Sequence, residues 1–303
     1  MKRIGQILTP ITLFASSLCW GEIEHGLGIN ILQEKQSYYL NSQEIDLVTY
    51  TPELQYQFIY RQWQLGLYGS LSDSHDSGIQ SHSQLKYQIT SEQNSHGIYL
   101  DYNFLNSWLS LSFDDAHLQY SHQSNDNSIR SFGNNQIDSQ TWSVDFGYAW
   151  LFNDGQLTLS LGTSYQASEE SFQLLQTQVN ILGSVYDQDN IAQSGWLGNI
   201  SSHYQHYFSF DNHISWMLGI GLSHSQSIQG EAYLSQTSQT QLAGNRLTSS
   251  EDEYFIESDS DSTRFIIQSG ILLEAGTINV SLDKLTSEPW SDALLELGFS
   301  LYF

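Results

Sequence analysis

The 303-residue chain carries 33 acidic and nine basic side chains, a formal net charge of −24 that excludes a nucleic-acid partner. Outside the first twenty residues there is no run of eighteen apolar residues, so membrane-spanning helices are excluded too. The only cysteine, Cys19, lies in that opening segment, which leaves disulfides no part in holding the fold.

Lys2 and Arg3 precede an uncharged stretch from Ile4 to Trp20, which predicts a secretory signal over residues 1–21. Leu18 is bulky where a lipoprotein signal wants a small residue, which argues against lipidation at Cys19. The remainder, 22–303, reads as one domain of alternating strands. Leu27, Ile29 and Ile31 mark a first strand over 25–33. Val48 to Phe58 mark a second, with Pro52 expected as a defect or bulge. Trp63, Leu65, Leu67 and Leu71 mark a third, and Ile98 to Phe104 a fourth. Leu109, Leu111 and Phe113 begin a fifth, whose parity is expected to shift before Leu118 and Tyr120. Trp142, Val144, Phe146, Tyr148 and Trp150 give the sixth, and Leu157 to Tyr165 the seventh. Trp196, Ile200 and Tyr204 point to an eighth, Ile214 to Leu222 to a ninth, and Phe265 to Leu273 to a tenth. Ile278, Val280 and Leu282 form an eleventh, and 293–303 the twelfth.

The connections sort by length. Short turns are expected near 60–62, 105–107, 152–155, 208–212 and 274–276. Long loops are expected at 34–45, 73–94, 122–139, 166–194 and 226–262. Short turns at one end and long loops at the other belong to transmembrane barrels, not to soluble sandwiches. Aromatics gather near the expected strand ends. Tyr60, Trp63, Phe104, Trp108, Trp150, Phe152, Phe208 and Phe303 fall on the turn side. Tyr120, Trp142, Tyr165 and Trp196 fall on the loop side.

In the final strand Leu295, Leu297, Phe299, Leu301 and Phe303 share one apolar face, and the chain ends on the aromatic. That ending resembles the terminal strand of Gram-negative outer-membrane β-barrels. The resemblance implies an all-β fold, a transmembrane antiparallel up-and-down β-barrel of about twelve strands, located in the outer membrane. It also implies that Phe299, Leu301 and Phe303 are the signal read by the barrel-assembly machinery, with outer-membrane lipid and lipopolysaccharide as surroundings. The stretch Thr141–Tyr165 in particular resembles the translocator barrels of autotransporters, which carry a passenger upstream; here the barrel is expected to start directly after the signal.

Tyr120-Ser-His122-Gln-Ser124-Asn125 resembles the active-site stretch of outer-membrane phospholipase A, which implies a lipid-facing His122 and Ser124. No Gly-Arg-Ser follows Asn125, and the next strand has no Asn to orient the His, so an enzyme is not expected. His203 and His206 fall on opposite faces of a strand and cannot share a metal. Glu251, Asp252, Glu253, Glu257, Asp259 and Asp261 read as a solvated acidic loop without the glycine of a calcium loop, and no cofactor is expected.

The inward face carries the expected function. Glu53, Asp101, Asp145, Asp283 and Glu296 are expected to line the lumen, answered mainly by Arg264. Small polar neighbours leave space among them, which predicts a passive, porin-like channel for small polar or cationic solutes. The alternatives are a surface-binding or adhesion barrel with functional loops, and an autotransporter-type translocator. Fold alone does not choose among these.

Overall fold

The computed structural model describes residues 23–302, except for segments at 41–42, 81–84, 126–127, 179–182, 210–213, 243–244, 258–260 and 288–292. The expected signal segment and Phe303 lie outside the described residues. The chain forms β1 (Ile23–Leu40), β2 (Gln43–Tyr60), β3 (Trp63–Gln80), β4 (Leu85–Phe104), β5 (Ser107–Asn125) and β6 (Ile129–Phe152). There follow β7 (Gly155–Gln178), β8 (Gly183–Ser209), β9 (Ile214–Leu242), β10 (Asn245–Glu257), β11 (Ser262–Leu273), β12 (Gly276–Leu285) and β13 (Leu294–Tyr302). Neighbours follow chain order from β1 to β9; β9 then pairs with β11, and β12 and β13 lead back to β1. Leu27 faces Leu301 and Ile29 faces Phe299 across the closing seam. The result is a closed antiparallel barrel of twelve strands, as the alternation predicts.

β10 is an additional strand, and its register explains it. Both β10 and β11 lie on the same flank of β9 and run in the same direction. Glu257 faces Glu231 and Ser262 faces Ser225, so five residues of the descending chain match six of β9. The extra residue is Ile228, which is skipped where β8 pairs with β9. β10 is thus the upper continuation of the eleventh wall strand.

Strands β1 to β9 have two storeys, whereas β12 and β13 span only the lower one. In the lower one, outward side chains are apolar and exposed: Leu54 and Tyr56 on β2, Val144 and Phe146 on β6, Ile220 and Leu222 on β9, Leu297 and Phe299 on β13. A continuous exposed apolar belt of this kind meets lipid, because water would not tolerate it and the closed ring leaves no backbone group unpaired. On β6 the belt runs from Trp142 to Trp150, about 26 Å along the strand. Aromatic pairs mark both rims. Trp63 against Tyr102 (4.6 Å between ring centres) and Tyr148 against Trp150 (4.7 Å) lie at the turn end. Phe113 against Trp142 (4.3 Å) and Tyr165 against Trp196 (5.3 Å) lie at the other. Turn-end connections are tight, and Arg61 (φ 57°) and Leu105 (φ 56°) open two of them in the left-handed region that such hairpins need.

The upper storey corrects the loop expectations. Among the described residues 73–94 and 166–194 are strand, 122–139 is strand apart from Ser128, 34–45 is strand on both sides of 41–42, and 226–257 is upper β9 followed by β10. The acidic stretch from Glu251 to Glu257 is therefore strand, not loop. Alternation reports which side chains meet lipid; above the belt the outer face is mostly polar and the apolar residues are few and mostly inward, so the two-residue signal fades while the ladder continues.

Above the belt the ring opens. The β2–β3 ladder ends at Glu53 opposite Ser70. Pro52, the next residue, has no amide hydrogen to offer a further rung. The expected bulge there is absent: β1 and β2 stay in register throughout. β3 to β10 continue upward as one sheet, while the β1–β2 hairpin leans onto its inner face. Ile45 and Leu47 of the hairpin pack with Leu85, Ile89 and Tyr120, all at most 7% exposed, with Tyr87 against them. This cluster also removes the expected parity shift in β5. Pairing with β4 and β6 is unbroken, so Leu118 and Tyr120 stay on the inward face with Ser110 and Ser112. Apolar residues move from outside to inside as the strand leaves lipid; the backbone does not shift. Tyr120 is accordingly no girdle residue. Trp108 also points inward, by the same parity.

Candidate functional site

The lumen of the belt storey collects the charged residues that the strands turn inward. Glu53 on β2 is 5% exposed and accepts a hydrogen bond from Asn30 Nδ2 (3.0 Å). Asp101 on β4 accepts one from Ser110 Oγ on β5 (2.5 Å). Asp145 on β6 faces that same serine across the next ladder. Glu296 on β13 accepts from Ser281 on β12 (3.0 Å). Asp283 is held by Arg264 (2.9 Å), the only Arg or Lys among the described residues on the belt's inward face. The acids thus sit on separate strands around the ring, four of them with a short polar neighbour, and only Asp283 is neutralised by a Lys or Arg.

Asp114 belongs to the same wall and is missed when β5 is read with a parity shift. It shares the inward face of Ser110 and Ser112, and its Oδ1 is shielded with no hydrogen-bond partner. Unbroken alternation from Leu109 through Phe113 was the signal that would have found it.

Four of the large inward rings follow one rule: each faces a glycine on the neighbouring strand. Tyr99 lies opposite Gly66 and Tyr68 opposite Gly97. Trp108 lies opposite Gly147, and Tyr302 opposite Gly26. At Gly66, Gly97 and Gly147 any Cβ would overlap the ring itself, and at Gly26 it would crowd it. The rings therefore lie along the wall instead of crossing the lumen. Tyr99 is pinned there: its hydroxyl accepts from Gln55 Nε2 and from Gln64 Nε2, both at 3.2 Å.

Above the belt, His122 and Ser124 are both buried and face the barrel interior, with His122 lying over Gly133. A lipid-facing pair, which the phospholipase resemblance implies, is not formed. Burial holds His122 below the ordinary histidine pKa. His203 lies on the inward face of β8 and His206 on the outward face. Among the described residues no three His, Cys, Asp or Glu side chains are placed to hold a metal ion.

A second concavity, of about 260 Å³, opens on the inner face of the upper storey. Phe172 and Leu174 of β7, Asp187 and Asp189 of β8, Gln236 of β9 and Asp252 of β10 contribute to it. Ser238 Oγ donates to Asp187 at 2.5 Å. Asp189 is pushed above the usual carboxylate pKa, first by burial and then by the charge of Asp187, against a hydrogen bond from Gln236. These residues fall in stretches expected as loops, so no sequence pattern brought them together.

No known protein-family model matches the sequence. No curated protein matches it either. Solved structures do match the fold. The translocator domain of the autotransporter NalP from Neisseria meningitidis is 9% identical over 93% of this chain and 88% of its own, with a TM-score of 0.59. The β domain of the Bordetella autotransporter BrkA is 11% identical over 93% of this chain and 100% of its own, with a TM-score of 0.52. With the belt, the closed ring and the aromatic rims already in view, these likenesses place the architecture: the chain is a twelve-stranded β-barrel of the outer-membrane type.

Proposed function

We propose that the protein is an outer-membrane channel for passive movement of small polar solutes, favouring cations, with its strand extensions on the outer side. The observation that carries this reading is the glycine backing of the inward rings. A barrel meant to be filled would use Tyr68, Tyr99 and Trp108 to cross the lumen; here they lie on the wall. The acids then set the preference. Low-dielectric walls focus the field of Glu53, Asp101, Asp114, Asp145 and Glu296, and counter-ions concentrate between them. The test is a planar-bilayer recording of the refolded protein across a KCl gradient. The expected reversal potential is cation-selective at low salt and fades at high salt, because the screening length falls from about 30 Å at 0.01 M to about 3 Å at 1 M. Asp101→Asn with Asp145→Asn should reduce selectivity more than conductance. Gly66→Val with Gly147→Val should do the reverse, by driving rings into the passage. An anion-selective or unselective trace at low salt would refute the acidic-lumen argument, and absence of conductance would refute the channel.

The upper storey favours a second role beside the first, a surface-binding one. Strands of up to 29 residues, as in β9, extend far past any bilayer. A pore alone has no use for so much ordered wall.

A further inference from the structure

The outer face of the upper wall across β5 to β9 carries the inference. Cross-strand register arranges its outward side chains in rows. The two lowest rows above the belt rim carry charge: Asp115 and Glu231 stand at the ends of the first, and in the second His117 faces Asp138, with Glu169 beyond it. The next three rows, five strands wide, contain fifteen outward positions and no charged residue. The middle row reads Ser121, Asn134, Gln173, Gln188 and Thr237. The row below it is likewise amide and hydroxyl, from Gln119 to Ser235. The row above it sets Phe132, Leu175 and Tyr186 side by side on adjacent strands, with Gln123 and Gln239 at its ends. Glu92, Arg130, Asp138 and Glu253 border the face, and none enters it.

A chain with 33 acidic residues that keeps a sheet face free of charge limits what can settle there. An anion finds no Lys or Arg within the rows and only Arg130 at the rim, and a cation is better served by the acidic surfaces around it. What the face offers is a lattice of amides and hydroxyls, each able to donate and accept, beside an aromatic step. The step is partly ordered, since Tyr186 Oη donates to Gln188 Oε1 at 3.0 Å. Aromatic bodies flanked by Ser and Asn give broad contact at low entropy cost. Five strands at about 4.8 Å spacing and rows about 7 Å apart make a patch about 19 Å by 14 Å, which suits an extended chain better than a compact ligand.

We propose that this face binds a neutral polysaccharide, its hydroxyl groups meeting the amide rows and its sugar faces lying on Phe132, Leu175 and Tyr186. The proposal rests on the surface-binding role and not on passage through the lumen.

The test uses the full barrel in lipid nanodiscs, run by affinity electrophoresis through gels containing dextran, mannan or galactan, with dextran sulfate as the anionic comparison. Retardation by at least one neutral polymer is expected, equal at low and high salt because no ion pair is involved. Tyr186→Ala with Gln173→Ala should weaken it roughly tenfold or more, the loss of at least one well-made contact, while heat-modifiability confirms that the barrel is folded. No retardation in any neutral gel would overturn the proposal, as would retardation indifferent to the two substitutions. Retardation by dextran sulfate alone, erased by salt, would overturn it while leaving a surface-binding role in place elsewhere. A dimer that these substitutions dissociate would also overturn it, assigning the face to a second copy of this chain.

Discussion

The two storeys of one strand obey different rules on the same backbone. On β6, Trp142, Val144, Phe146, Tyr148 and Trp150 point outward below, and Phe132, Asn134, Gln136 and Asp138 point outward above. Pairing with β7 is continuous through both. What changes is the solvent. In lipid the ladder must be complete and its outer face apolar; in water the outer face turns polar and the apolar residues move inside, as Ile45, Leu47, Leu85 and Ile89 have done. The lower storey is a ring because an open edge in hydrocarbon costs several kcal/mol per unpaired backbone group. The upper storey opens because water satisfies an edge. Its free edges are also unattractive to other strands: Asp73, His75 and Asp76 lie on β3, and Asp252 and Glu253 on β10.

The largest test of this contrast is a pair of arginines on one strand face. Phe146→Arg, at mid-belt, is expected to cost about 2–4 kcal/mol and to block folding into a bilayer. Gln136→Arg, outward on the same strand but above the belt, is expected to stay within about 0.5 kcal/mol of wild type. A heat-modifiability gel reads both; equal tolerance would end the two-storey description. The apolar cluster gives the next largest effect. Ile89→Ala should cost about 2 kcal/mol, the low end of the range because the β1–β2 hairpin is free to lift. The belt should remain folded while protease gains access between Gln33 and Thr51. Loss of the whole barrel instead would mean that the two storeys unfold as one.

The smallest effect concerns the charged row at the base of the upper wall. His117 Nδ1 lies 2.5 Å from Asp138 Oδ1, and this hydrogen bond, with a further one from Gln136, holds the Asp138 carboxyl below its usual pKa. A lowered carboxylate pKa stabilises the fold above the ordinary aspartate range, near pH 3.9, and the contribution is lost as pH falls through the lowered value. The pair is solvent-exposed, so His117→Ala should lower the unfolding free energy from a urea titration by less than about 1 kcal/mol at neutral pH. The difference should vanish in acid; a difference that persists there would assign it to packing.

Alternating Leu, Phe and Trp residues along Ile98–Phe104, Trp142–Trp150 and Ala293–Leu301 were enough to predict a barrel and twelve strands. Lipid imposes that pattern on every strand independently, so it survives in a local window. The inward placement of Asp101, Asp145 and Glu296 follows from the same parity. Asp114 was lost where Leu118 and Tyr120 seemed to break that parity, because the apolar side of a strand reverses on leaving the bilayer. The upper storey left no such trace. Gln, Ser and Asn on both faces are compatible with loop or ladder, and only cross-strand register decides between them. Composition and alternation therefore determined the barrel, its strand count and the acidity of its lumen, since each depends on one residue and its solvent. The opened upper sheet, the β1–β2 hairpin folded against it, the glycines behind Tyr68, Tyr99, Trp108 and Tyr302 and the uncharged rows on its outer wall were decided by tertiary structure. Each depends on which residue of another strand stands opposite, and that pairing joins positions too far apart in the chain for a local window to relate them.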